Sequence, residues 1–271
     1  MGLTEDEKKA RVAKLRPIDD VFFEVLAQNP KVCQEILRVI LEDDKLIVDD
    51  VITQNSERNI YGRSVRLDAL CTLGTGEKCN IEVQRSDNDD HLRRARFNAS
   101  VITAINSNPG TKFEKVKDVC IVYISQFDVF KQNKTIYHVD KMIRETGTYV
   151  DDGLREIFVN TAVNDGSDIS ELMSCFLAER VDNPKFPELS NEVKRLKETE
   201  GGLDVMCDVM EKYNQEAVDK FAVDAIRRMA KNGTSVKDLA NGFQKTEAEI
   251  EAILDSSEDL KLNIVTKKTS Y

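Results

Sequence analysis

The order of apolar and polar positions divides the chain into a helical start, an alternating middle and a helical end. Residues 4–15 open with a capping box, Thr4 and Glu7 three apart, and form a charged helix that Pro17 breaks. DDVFFEVLAQ (residues 19–28) and KVCQEILRVILED (31–43) carry Phe22, Phe23, Leu26, Val32, Ile36, Val39 and Ile40 at helical spacing, two helices separated at Asn29-Pro30. The spacing then changes to two: VRLDALCTLGTGEKCNIEVQR (65–85) alternates on both sides of a glycine turn and predicts a β-hairpin. A long amphipathic helix follows over DNDDHLRRARFNASVITAINS (87–107), stopped by Pro109-Gly110. DVCIVYIS (118–125) is continuously apolar, as expected of a strand covered on both faces, and KTIYHVDKM and LREIFVNTA predict two more strands. From about residue 168 the pattern is almost uninterrupted helix, ending in two short helices over SVKDLANGFQKTEAEIEAILDS. The expected fold is α/β: a mixed sheet flanked by helices over residues 17–163, an N-terminal helix over 1–16, and a helical C-terminal appendage over 164–271.

Composition narrows the function. The 271 residues are 41% hydrophobic, enough for a sizeable core, and contain no apolar run of membrane-spanning length and no secretory leader, so a cytoplasmic protein without membrane attachment is expected. Six scattered cysteines and two histidines lack zinc-site spacing and are expected to be free, buried thiols. A net charge of -10 excludes nucleic-acid binding by a general positive field, so any such contact must be local. No GxxxxGK[ST] loop is present, so no nucleotide cofactor is expected.

The hairpin carries the chemistry. With Gly74-Thr75-Gly76 as the turn, Leu73 pairs with Glu77 and Asp68 falls opposite Glu82. Directly opposed carboxylates repel, and a hard divalent cation such as Mg²⁺ or Mn²⁺ removes the repulsion. Asn80, Glu82 and Gln84 share one face of the second arm. Gln84 can present its amide to a water or phosphate oxygen, and the Val83 carbonyl can complete the metal's ligands. The same pattern equally describes a solvated face with the register slipped by one residue.

These residues also carry a resemblance. IDDVFFEVL, VRLDALCTL followed by NIEVQR, then RRARF and PGTKF before an apolar strand, resemble the PD-(D/E)XK nuclease family transposases, the recombination-promoting nuclease (Rpn) group, over residues 17–163. The resemblance implies a restriction-endonuclease-like core and a Mg²⁺-dependent DNA endonuclease. It implies that Asp68 and Glu82 are metal ligands and that Gln84 stands where the wider superfamily has lysine. It further implies that Asp20 approaches the site from the first core helix, in the pattern Pro17, Asp20, Phe23, and that Arg94 faces phosphate. Glu24 and Asn98 depart from the family pattern, which has lysine and an aromatic residue there.

Arg85, Arg93, Arg94 and Arg96 form the basic concentration nearest the hairpin, either a DNA-facing edge or a solvated face interleaved with Asp87, Asp89 and Asp90. His91 beside them is a candidate general base or phosphate donor, whereas His138 is read as a strand residue. The final helix pair faintly resembles a helix-turn-helix, a shape that packing elements share. The expected function is a metal-dependent DNA endonuclease, with RNA as the other substrate to test and a homodimer as the way one such site cuts both strands. The alternative is a catalytically silent nuclease-fold protein that binds DNA or a protein partner.

Overall fold

The computed structural model describes residues 4–57 and 65–255, so the appendage expected to reach residue 271 is described as far as Asp255. The chain divides into two compact units, the first running to Val209 and the second beginning at Met210. The first unit holds α1 (Glu5–Ala13), α2 (Asp20–Leu26), α3 (Pro30–Ile40), β1 (Val48–Glu57), β2 (Val65–Leu73), β3 (Lys78–Gln84), α4 (His91–Ile105) and β4 (Val119–Ser125). After these come β5 (Ile136–Val139), β6 (Lys141–Ile143), β7 (Thr148–Val150), β8 (Leu154–Asn160), α5 (Asp168–Leu177) and α6 (Pro187–Glu198). α7 (Glu200–Lys231) begins in the first unit and ends in the second, which also contains α8 (Val236–Phe243) and α9 (Glu247–Asp255).

Six strands form one mixed sheet in the order β1-β2-β3-β4-β8-β5; β3, β4 and β8 are parallel and the outer pairs antiparallel. This is the restriction-endonuclease-like α/β architecture. β4 lies at its centre and is buried along its whole length, which is why its sequence does not alternate. On one face α4 buries Ala95, Ala99 and Ile102 against Leu70, Ile121, Tyr123 and Phe158. The other face presents Cys71, Cys79 and Cys120 at one level of three adjacent strands, and the buried Cys33 thiol of α3 donates to the Ala27 carbonyl at 3.4 Å. All six cysteines are free and buried. α5 and α6 pack against α3, and α6 also meets α1 and α2.

Two features were not expected. β1 precedes the hairpin as an edge strand with a bulge between Val48 and Asp50, and the strand expected over residues 134–142 breaks at Asp140, where a separate two-stranded ribbon, β6–β7, begins. Among the described residues no helix is long and apolar enough to cross a membrane.

Candidate active site

The hairpin turn is the expected one: Leu73 N–H donates to the Glu77 carbonyl, Gly76 N–H to that of Leu73, and Gly76 takes φ +83°, which its missing Cβ permits. The β2–β3 ladder pairs Thr72 with Lys78, Cys71 with Cys79, Leu70 with Asn80 and Ala69 with Ile81, then stops. Continuing that register sets Asp68 level with Glu82. β2 stays with β1 as far as Val65 while β3 stays with β4 as far as Gln84, so the sheet forks at these two carboxylates.

Main-chain geometry makes the fork chemically distinctive. Gln126 N–H donates to the Gln84 carbonyl and Lys78 N–H to that of Asp118, so even-numbered residues of β3 bond towards β4 and odd-numbered ones towards β2. The N–H and C=O of Val83 therefore face the gap where β2 has left. The Asp68 side chain fills part of it, its Oδ2 accepting from Val83 N–H at 3.0 Å in place of a ladder carbonyl.

Glu82 is fully buried, its Oε1 accepting from Asn80 Nδ2 at 2.9 Å and its Oε2 from Arg94 at 3.2 Å. Arg94, in the first turn of α4, also donates to Gln84 Oε1 at 2.9 Å, while Gln84 Nε2 donates to the Ser86 carbonyl. Burial, then the neighbouring Glu82 charge, pushes the Asp68 carboxyl well above the usual range. Burial also raises Glu82, against the pull of Arg94. Asp20 opens α2 at the exposed rim; surrounding protein raises its carboxyl while Arg94 and Arg85 oppose that. Beside it Asp19 is buried and clasped by Arg16 and Arg85, the latter at 2.9 Å.

The expected residues Asp68, Glu82, Gln84, Val83, Asp20, Arg94 and Arg85 are thus gathered at the carboxyl end of β3, where open α/β sheets bind ligands. Arg93 and Arg96 leave this group. They line a groove of about 700 Å³ on the far side of α4, with Leu92, Phe130, Leu154 and Phe158. Sequence reasoning set Asn80 on the Glu82 face without giving it a role, and it passed over Tyr123 of β4, which stands level with Glu82. Asn80 holds Glu82, and its Oδ1 is buried with no hydrogen-bond partner among the described residues. Its signal was its place on the Glu82 face, two residues away. His138 is an exposed residue of β5. Glu24 is buried and pairs with Arg66 at 3.9 Å, and Asn98 is buried within α4. The α8–α9 pair exists, but α9 carries Glu247, Glu249, Glu251 and Asp255 and no basic residue, the wrong charge for a helix laid against phosphates.

The donor set suits a hard cation: two carboxylates that repel one another, a main-chain carbonyl at the fork, and the orphaned Asn80 oxygen close by. Among the described residues no group of three His, Cys, Asp or Glu side chains is arranged around a common point, so water or substrate oxygens must supply the remaining ligands. Mg²⁺ ordinarily keeps several waters.

Comparison with protein families matches residues 18–165 to the family described as PD-(D/E)XK nuclease family transposase. No curated protein and no solved structure matches the chain.

Proposed function

This chain belongs to the PD-(D/E)XK nuclease family transposases, and we propose that it is a divalent-metal-dependent DNA endonuclease of the Rpn type. The observation that carries the reading is the fork, which leaves Asp68 and Glu82 level with one another beside the outward-facing main chain of Val83. Asp68, Glu82 and the Val83 carbonyl would hold Mg²⁺ or Mn²⁺. When bound, the ion supplies a more acidic water and charge neutralisation at the phosphodiester.

The protein's own groups do the rest. Gln84 Oε1, already fixed by Arg94, has a second lone pair to accept from the attacking water and aim it. Asp20 at the rim, its carboxyl raised, takes up the proton that water loses. Arg94 uses two of its five N–H donors on Glu82 and Gln84 and turns the others to the phosphate. Arg85 extends the phosphate contact. A homodimer would bring a second site to the complementary strand.

The test is cleavage of supercoiled plasmid in Mg²⁺, Mn²⁺ or EDTA, beside Asp68→Ala and Glu82→Ala proteins of verified fold. Metal-dependent nicking that both variants lose is the expected result. An inert wild type on DNA and on matched RNA would instead make this a silent nuclease-fold binding protein.

A further inference from the structure

The first turn of α4 carries Arg94 and is capped by Asp90, whose side chain accepts from Arg93 N–H at 3.0 Å, but little of its side-chain surface is packed. Leu92 and Arg93 are exposed and Arg94 is about a third exposed; the apolar face of the helix begins only at Ala95. In that turn His91 is the buried side chain, at 6% exposure. Its ring packs against Phe127, centroids 4.7 Å apart. Its Nε2 lies 3.1 Å from Asp87 Oδ1 and its Nδ1 lies 2.9 Å from the hydroxyl of Tyr123. Because a carboxylate only accepts, Nε2 carries a proton; in a neutral ring Nδ1 is then the acceptor for the Tyr123 O–H.

The chain of contacts ends at the carboxylates. Tyr123 is fully buried in β4 and stands level with Glu82 in the adjacent β3. His91 and Arg94 are three residues apart and share one side of α4. The helix is therefore pinned to β4 through His91 and to β3 through Arg94, one turn apart, across a single rung of the sheet.

We propose that His91, held by Tyr123 and Asp87, is a positioning residue that fixes the first turn of α4 so that Arg94 spans Glu82 and Gln84 with its free donors facing the scissile phosphate. This rests on the nuclease reading of the same site. His91 itself touches neither metal ligand nor substrate.

The experiment uses the full chain with Tyr123→Phe, which removes only the hydroxyl, and with His91→Phe and His91→Gln. In Mn²⁺, Tyr123→Phe and His91→Phe raise KM for duplex DNA about tenfold with kcat within about twofold, and His91→Gln recovers part of the loss. In thermal unfolding, the losses from Tyr123→Phe and Arg94→Gln combine less than additively, because both act on one arrangement. A fall in kcat with KM unchanged and a shifted pH–rate profile would overturn positioning in favour of proton transfer. Additive unfolding losses with unchanged KM would reduce His91 to packing. A wild type that cleaves nothing would sink the nuclease reading, and the unfolding cycle alone would then decide the positioning claim: additivity overturns it.

Discussion

Asp68 is the residue at which charge, stability and chemistry conflict most directly. Its carboxyl is raised in the folded protein by burial and by Glu82. A raised carboxyl gives stability that is complete below its unfolded pKa and is lost as pH climbs through its folded pKa, because the native state then has to hold an ionised, crowded group. Asp68→Asn should therefore be more heat-stable than wild type in EDTA at pH 8, with the difference vanishing as pH falls to about 4. Differential scanning across that range checks the sign. Mn²⁺ should reverse the order: at about 100 times its Kd it should stabilise the wild type by roughly 2.7 kcal/mol and leave Asp68→Asn unmoved. Arg94 has the opposite character. It is the cation beside a fully buried Glu82, so Arg94→Gln should cost about 2 kcal/mol, below the usual penalty for breaking a buried pair because the arginine is partly exposed. Arg94→Lys should keep most of that stability yet lose activity at least tenfold, since an ammonium cannot bridge Glu82 and Gln84 while facing phosphate.

At the scale of elements, legibility followed periodicity. The hairpin register could be counted from its glycine turn because side-chain alternation fixes pairing once the loop length is known, and Ala69 does face Ile81 as that count requires. The fork could not be counted, since nothing in VRLDAL says that β2 will follow β1 while β3 follows β4. β1 itself was missed because LIVDDVITQNSE clusters its apolar residues around an acidic pair instead of alternating, as suits a bulged edge strand. Arg93 and Arg96 look equivalent to Arg94 in RRARF. The helical turn sends them to the opposite groove, and only the seating of α4 on the sheet reveals which arginine meets Glu82. α7 runs straight through Gly201-Gly202 in its first turn, although glycine is a poor helix former. The structure explains one of them: a Cβ on Gly202 would lie 2.2 Å from the Arg195 carbonyl oxygen and 2.7 Å from Leu196 Cα, both rigid backbone of α6. Gly202→Ala should push α6 and α7 apart and cost about 3 kcal/mol, measured by urea unfolding, whereas Gly201→Ala, with open space around its Cβ, should be neutral or mildly stabilising.

For the whole molecule the decisive quantity is charge. A protein of net charge -10 gains nothing from long-range attraction to DNA, so its grip has to come from a few arginines set where the sheet forks. Among the described residues, Arg94 and Arg85 are gathered there, each already near a carboxylate that tempers its pull. Counterion release scales with the number of phosphates neutralised, so two or three contacts imply a slope of about -2 to -3 in log K against log salt concentration. Fluorescence anisotropy with a short duplex, in Ca²⁺ to restrain cleavage, measures that slope. Arg94→Ala and Arg85→Ala should each flatten it by about one, whereas Arg93→Ala and Arg96→Ala, whose side chains line the groove beyond α4, should leave it unchanged. A slope of -6 or steeper would mean that duplex lies across a second basic surface, and retention of that slope in Arg94→Ala would place the principal DNA contact away from the fork. The weak field also has a functional consequence. Binding that depends so little on non-specific attraction must depend on the divalent ion to offset the carboxylates, so affinity for duplex should fall at least tenfold when EDTA replaces Ca²⁺ at constant ionic strength.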